Sequence, residues 1–156
     1  MDPDAGVVNL ISTTDDKTYF AKYQASGALL FAKAIGSNGT IEGPAELMLD
    51  LAGNVYICGY FAGSAGQVDF DPNSGTVNLV SLGSYDWFIA KYSPTGTFIW
   101  IADMGGTDFD VCYAFSITPD GKFIVTTGYL WSTAYFAFNG ERIFNNTQFF
   151  LARYEE

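Results

Sequence analysis

The hydrophobic residues of this chain fall into short runs that are separated by turns containing glycine or proline. In the middle of the chain the runs are AELMLD (45–50), NVYICGYF (54–61), DWFIAKY (86–92) and TFIWIAD (97–103), with turns at 51–53 and 93–96. They are rich in β-branched and aromatic residues, which strands prefer. Several runs are continuous rather than alternating, as expected for strands buried on both faces. Because helical periodicity is absent, the pattern predicts an all-β protein.

The same pattern extends towards both ends of the chain. Further strands are predicted at 18–23 and 28–35, and again at 114–118, 122–130 and 149–154, with a Pro-Asp-Gly turn at 119–121. Proline and glycine preset the backbone angles that such turns need. Predicted strands therefore run from near the start of the chain to its end.

An internal repeat with an offset of 69 residues underlies this pattern. Residues 1–23 align without a gap with residues 70–92, and ten of these 23 positions are identical, including the AKY triplets at 21–23 and 90–92. The same offset pairs Gly27 with Gly96 and Gly36 with Gly105, and a third copy of the triplet occurs as ARY at 152–154. One offset that holds across turn glycines and aromatics indicates a duplicated structural unit.

Repeated four-stranded units that bury both faces of every sheet are typical of a β-propeller. The repeat predicts blades of four antiparallel strands, with two to three blades in an incomplete propeller. Residues 1–36 are expected to form the outer strands of a first blade, 37–104 a complete blade, and 105–156 a third blade without its outermost strand. A β-sandwich is the structural alternative, but its strands would not recur with a fixed offset.

The motif that these residues form resembles the bacterial SBBP propeller repeat. It reads D-x-F-x-A-K-Y-x-x-x-G-x-x-x-W at 86–100, followed by Gly-Gly at 105–106, and D-x-x-G-N-V-Y-x-x-G-Y-F at 50–61. VDFDPNSGTVNLVS at 68–81 is similar to the insert that many copies carry between their second and third strands. The resemblance implies a propeller and a large secreted or surface protein of bacteria, without a shared enzymatic activity. The chain departs from the motif at Phe31, which replaces Trp, and in the third insert, AYFAFNGERIFNN.

Incomplete blades at both ends have consequences for assembly. Closed propellers contain about four to eight blades, and unpaired strand edges are templates for association. Either copies assemble, with the N-terminal strands of one chain completing the last blade of the next, or the chain is a piece of a longer propeller. Head-to-tail contacts of this kind produce rings or filaments. The predicted partner is therefore another copy of the chain, in a homo-oligomer or filament held through edge strands.

Charge and composition exclude several classes of partner. The formal net charge is −10, with seven Lys and Arg and no His, which opposes binding to nucleic acid and to anionic membrane surfaces. No apolar run reaches the roughly 18 residues of a membrane span, so no membrane insertion is expected. The first residues, MDPDAGVV, do not resemble a signal peptide. An extracellular or cell-surface location therefore requires a signal outside this chain.

Catalysis is not expected. Without His the chain lacks the usual general base for a Ser or Cys nucleophile. A carboxylate pair, Asp108 with Asp110 or Asp15 with Asp16, would suit a glycosidase-like reaction. Solvated loop charge is the favoured interpretation of both pairs, and the chain is predicted not to be an enzyme.

The best candidate binding site is the stretch DFDPNSG at 69–75. Asp69, Asp71 and Asn73 place oxygen side chains at alternate positions before Gly75, as at the start of a Ca²⁺ loop. The match is partial, because Ser74 and Val80 stand where an EF-hand has Gly and Glu. The favoured alternative is an Asx turn in which Asp71 caps backbone amides. No other cofactor is expected.

Two further groups of residues bear on function. Aromatic side chains suit stacking against sugar rings, although packing between blades explains most of them; the candidates for glycan binding are Tyr60, Phe61, Tyr129, Trp131 and Tyr135. Cys58 and Cys112 lie in apolar surroundings and are expected to be small buried hydrophobes, with a Cys58–Cys112 bridge as the alternative.

Overall fold

The computed structural model describes residues 9–11, 17–36, 40–62, 67–131, 133–136 and 148–155, with the backbone alone at 40–45, 136 and 148–155. The predicted all-β class is confirmed, since the described residues form strands and turns without a helix. The strands are β1 (Thr18–Tyr23), β2 (Leu29–Ile35), β3 (Thr40–Leu49), β4 (Val55–Ala62), β5 (Val68–Asp69), β6 (Asn78–Leu79), β7 (Asp86–Tyr92), β8 (Phe98–Gly106), β9 (Asp110–Ile117), β10 (Phe123–Leu130), β11 (Ala134–Phe136) and β12 (Gln148–Glu155).

These strands pair antiparallel in four sheets, none of which is closed. The first sheet is the hairpin β1–β2, and a second small hairpin, β5–β6, is called the insert hairpin below. The middle sheet has the order β11-β8-β7-β4-β3, and the third sheet has the order β12-β10-β9. Within the middle sheet, the neighbours β3, β4, β7 and β8 lie in order of increasing residue number, with the insert hairpin between β4 and β7, so they form a four-stranded meander.

The hairpin turns of the first and middle sheets are copies of each other. The Gly27 amide donates to the Gln24 carbonyl at 2.9 Å, and the Gly96 amide donates to the Ser93 carbonyl at the same distance. Both glycines have left-handed backbones, with φ of 91° and 78°, a conformation that side chains with a Cβ disfavour. Both hairpins also carry a bulge at the end of the first strand, at Lys22/Tyr23 and Lys91/Tyr92. The repeat in the sequence is therefore a repeat in backbone geometry.

Both faces of the middle sheet are buried. Successive residues of β4 alternate between two apolar clusters, as the period of a strand requires. The cluster shared with the third sheet contains Tyr56, Cys58, Trp87, Ile89, Met104, Cys112, Phe115, Ile124, Leu130 and Ala134. The cluster shared with the first sheet and the insert hairpin contains Phe20, Ile35, Val55, Ile57, Phe61, Val68, Phe70, Phe88, Ala90 and Tyr92. The continuous hydrophobic runs of β4 and β7 thus reflect a sheet covered on both sides.

Among the described residues, the outward face of the first sheet carries exposed tyrosines, although the equivalent face of the middle sheet is buried. Tyr19 and Tyr23 are 71% and 52% exposed, whereas Phe88 and Tyr92, their equivalents 69 residues later, are 0% exposed. Phe20, which lies between the two tyrosines, points the other way and is buried against the middle sheet. The first sheet therefore carries an uncovered copy of a face that the middle sheet packs.

In the part of the third sheet whose side chains are described, hydrophobic residues are exposed as well. Val125 is 37% exposed, whereas its equivalent Tyr56 is 0% exposed beneath the third sheet. Tyr113 on the neighbouring strand β9 is 62% exposed. The described residues thus expose apolar side chains at both ends of the stack of three sheets.

Inserts connect each sheet to the one before it. The Gly36 amide, at the end of β2, donates to the Asp69 carbonyl of β5 at 2.9 Å. In the next repeat, Tyr135 of β11 pairs with Gly105 of β8, and Gly105 is the equivalent of Gly36. The sequence pattern did not predict β11, because its three residues are too few to form a recognisable run.

Candidate functional site

The predicted cation-binding residues lie together in the turn of the insert hairpin. Asp69 Oδ1 accepts hydrogen bonds from the backbone amides of Asp71 at 3.0 Å and Val77 at 2.9 Å. Asp71 Oδ1 accepts from the backbone amide of Asn73 at 2.9 Å and from its side-chain amide at 3.0 Å. A Cβ on Gly75 would collide with the Asp71 carboxylate, so any other residue there would displace that carboxylate from its present position. These bonds form the Asx turn that was the favoured alternative.

A lysine from the first sheet reaches this turn. Lys33 Nζ donates to Asn73 Oδ1 at 2.7 Å, so an ammonium group contacts one of the three oxygens proposed for a cation. Among the described residues, no group of three or more His, Cys, Asp or Glu side chains is arranged to hold a metal ion. The Ca²⁺ site stays a prediction, and any ion bound there would compete with Lys33. The N-terminal copy of the turn, at Asp2 to Gly6, lies outside the described residues.

The two carboxylates of the first candidate pair, Asp108 and Asp110, have different environments in the structure. Asp108 is exposed, whereas Asp110 is 0% exposed. Asp110 accepts hydrogen bonds from the backbone amides of Gly106 at 2.6 Å and Trp131 at 3.2 Å, so it ties the end of β8 to the end of β10. The interpretation of Asp110 as solvated loop charge is wrong, because its position at the start of β9 places it between two strand ends that need an acceptor. The second pair, Asp15 and Asp16, lies outside the described residues.

Asp86 is a second buried carboxylate, and the sequence pattern did not indicate it as a candidate site residue. It begins β7 and is 1% exposed, and its Oδ2 accepts from the Leu82 amide at 2.8 Å. No described residue donates a hydrogen bond to its Oδ1. Burial, together with the negative charges of Asp110 and Asp103, raises the pKa of Asp86 to about 7. Its sequence signal is weak, because an Asp at the start of a strand is usually solvated.

Several of the predicted glycan-stacking residues lie along one edge of the middle and third sheets. Tyr60 makes edge-to-face contacts with Tyr85 at 5.7 Å between ring centroids, and Tyr85 makes one with Phe109 at 5.3 Å. Tyr129 and Trp131 form a similar pair at 5.4 Å. These five residues are called the aromatic edge below.

Asp110 connects the two parts of the aromatic edge. Its amide donates to the Tyr85 carbonyl at 2.9 Å, and its carboxylate accepts from the Trp131 amide. Trp131 is 56% exposed and Phe109 is 37% exposed, so the edge presents aromatic surface to solvent. The sequence pattern did not indicate Tyr85 and Phe109. These residues directly precede β7 and β9, and the packing of those strands brings both rings into contact with Tyr60.

Two other predicted stacking residues have different positions. Phe61 is 0% exposed and packs against Phe70 and Phe88 in the cluster shared with the first sheet. Its prediction as a glycan contact is therefore wrong, because the alternation of β4 turns its ring inward. Tyr135 lies on β11 and is 47% exposed.

The two cysteines are buried free thiols, as the apolar surroundings predicted. Cys58 Sγ and Cys112 Sγ lie 3.7 Å apart, and no bond joins them.

Comparison with known proteins leaves the family open. No family model and no curated protein matches the chain. Within the described part of the chain, no helix has the length and apolar character needed to cross a bilayer.

Proposed function

We propose that the chain is a non-enzymatic structural module made of β-propeller blades, and that copies of it associate through their end sheets. The support from the fold is the meander β3-β4-β7-β8, which has the strand order of one blade. A sheet packs against each of its faces, as neighbouring blades do. The resemblance to secreted propeller repeats and the acidic composition favour an extracellular location.

The open end faces carry this proposal. Tyr19 and Tyr23 on the first sheet are exposed where Phe88 and Tyr92 are buried, and Val125 on the third sheet is exposed where Tyr56 is buried. Soluble proteins rarely leave contiguous apolar faces uncovered. A further sheet on each end would bury these residues as the middle sheet buries their equivalents.

The two open faces are of complementary type. Inside the molecule, the face containing Phe88 and Tyr92 receives the sheet before it, and the face containing Tyr56 receives the sheet after it. The exposed face of the first sheet is equivalent to the face containing Phe88 and Tyr92, and the exposed face of the third sheet is equivalent to the face containing Tyr56. The third sheet of one copy therefore suits the first sheet of the next, a head-to-tail contact that closes as a ring or extends as a filament.

Free strand edges add a second element to the same contact. In the described part of the chain, β12 pairs with β10 alone and β1 pairs with β2 alone. Strands from a second copy can complete these sheets, since unpaired backbone amides and carbonyls are templates for pairing. Additional blades in a longer chain would fill the same positions.

Light scattering coupled to size-exclusion chromatography tests the proposal. We expect a mass that is a multiple of 17.0 kDa at the highest soluble concentration, and we expect Tyr19→Lys to shift it towards the monomer, because a buried ammonium would be unpaired at the contact. Tyr135→Lys is the matched control, since that exposed tyrosine lies on β11, away from both end faces. A wild-type protein that stays monomeric and well folded overturns the proposal.

The aromatic edge favours glycan binding as a second candidate function. Exposed rings along one edge, with the Asp108 carboxylate beside Phe109, combine the stacking surface and polar group that sugar rings need. Titration with neutral oligosaccharides, followed by isothermal titration calorimetry, tests it. We expect Trp131→Ala to abolish any signal and Trp100→Ala to retain it; absence of binding by the wild type refutes this function.

A further inference from the structure

Two thiols face each other across the contact between the middle and third sheets. Cys58 lies on β4 and Cys112 on β9, and their sulfur atoms are 3.7 Å apart. The side chains are 0% and 2% exposed. No strand pairing joins β4 to β9, so side-chain packing holds the two sheets together at this point.

Cys112 Sγ lies 3.1 Å from the Thr126 hydroxyl and 3.4 Å from the Ala114 carbonyl oxygen, and the rest of the surroundings come from the apolar cluster. The neighbouring side chains of the cluster are apolar, with Tyr56, Ile89 and Phe115 among them. A disulfide has a sulfur–sulfur distance of about 2.05 Å, so the two atoms must approach by about 1.7 Å. Rotation of one or both side chains about χ1 is the motion that brings buried thiols together without moving a strand.

We propose that Cys58 and Cys112 form a reversible disulfide that covalently locks the middle sheet to the third sheet under oxidising conditions. The oxidant is a low-molecular-weight disulfide, R–S–S–R. One protein thiolate attacks a sulfur of the oxidant, which forms a mixed disulfide and releases one RS⁻. The second protein thiol loses its proton and attacks the mixed disulfide, which forms the Cys58–Cys112 bond and releases the second RS⁻. Two protein thiols are oxidised, and one disulfide is reduced to two thiols.

The hydrogen bond within the pair makes the two thiols unequal. The Cys58 thiol donates to Cys112 Sγ, and the Thr126 hydroxyl lies 3.1 Å from the same sulfur. The hydrogen bond from Cys58 lowers the pKa of the Cys112 thiol, whereas the same hydrogen bond and burial raise the pKa of Cys58.

The bond would close a long loop between two sheets. Cys58 and Cys112 are 54 positions apart, so a crosslink removes much of the conformational freedom of the unfolded chain. The oxidised protein is expected to unfold at a Tm that is higher on the order of 10 °C. This inference does not depend on the proposed assembly, because both cysteines belong to one copy.

Refolding in a glutathione redox buffer tests the proposal without requiring the oxidant to enter the folded core. We expect the intact mass to fall by two hydrogen atoms, the Tm to rise, and dithiothreitol to reverse both changes. Peptide mapping should place the bond between Cys58 and Cys112 of one chain.

Single variants test the roles of the two residues. After refolding in the same buffer, Cys58→Ala should keep a glutathione adduct on Cys112 and Cys112→Ala should keep one on Cys58, because neither variant has a second thiol to displace the glutathione. A Cys58→Ala/Cys112→Ala double variant controls for effects of the buffer on Tm. Refolded wild type that keeps two free thiols, or that forms bonds between chains only, overturns the proposal.

Discussion

The buried carboxyl of Asp86 makes the stability of the fold depend on pH. The pKa of this group is about 7 in the folded protein, against an ordinary value of 3.8, because burial and the charges of Asp110 and Asp103 disfavour the anion. The folded state therefore binds a proton more tightly than the unfolded state does. Its contribution to stability is present at acidic pH and is lost as the pH rises from about 4 to about 7.

The magnitude follows from the difference between the two pKa values. Each pKa unit corresponds to about 1.36 kcal/mol, so a rise from 3.8 to about 7 should lower the free energy of unfolding by about 4 kcal/mol across this range. Burial also raises the pKa values of Asp103 and Asp110, which adds loss in the same direction. The Thr118 hydroxyl lowers the pKa of Asp120. Asp120 therefore titrates below its ordinary pKa and does not change stability in the pH range over which Asp86 titrates.

Urea unfolding followed by tryptophan fluorescence between about pH 5 and pH 8 measures this dependence. Asp86→Asn keeps an acceptor for the Leu82 amide and removes the ionisation, so the variant should have a flatter pH profile and should lose less stability at the alkaline end. Asp108→Asn removes one charge from an exposed position and is the control for net charge. Wild-type stability that rises with pH in this range, or an Asp86→Asn profile as steep as that of the wild type, refutes the reasoning.

Three further predictions concern single positions. Gly96→Ala should lower the free energy of unfolding by about 1–2 kcal/mol in urea titrations, because an L-residue is strained at a φ of 78°; an unchanged midpoint would contradict the copied turn. Asp110→Ala should cost about 2–4 kcal/mol by the same measurement, since two backbone amides lose their acceptor, whereas Asp108→Ala should be nearly neutral. Asp69→Ala should lower the free energy of unfolding by about 1–3 kcal/mol. A Ca²⁺-dependent rise in Tm in the wild type but not in this variant would support the predicted ligands, whereas no rise in either protein would count against them.

Strand positions could be predicted because they depend on local patterns. The predicted segments 18–23 and 86–92 coincide with β1 and β7, and the predicted turn at 93–96 places a left-handed glycine at its end. β-branched and aromatic runs bounded by glycine and proline restrict the backbone directly, so they need no information about distant residues. The offset of 69 residues likewise indicated which hairpins share one geometry.

The candidate sites were predicted less well, because a side chain's role depends on what covers it. Asp69, Asp71 and Asn73 do share one turn, as their spacing indicated, but Lys33 reaches Asn73 from a strand 40 positions away. Phe61 and Tyr60 are neighbours in a run of similar residues, yet one is in the core and the other belongs to the aromatic edge.

Hydrophobic periodicity and the repeat were thus sufficient for the all-β class, the longer strands and the hairpin turns, since each is governed by residues close together in the chain. The packing of the sheets determined the rest: the burial of Asp86 and Asp110, the approach of Cys58 to Cys112, and the open faces at both ends of the stack. Those features arise from contacts between strands far apart in sequence, where burial changes the energy of a charge or a thiol and no local pattern records which surfaces will meet.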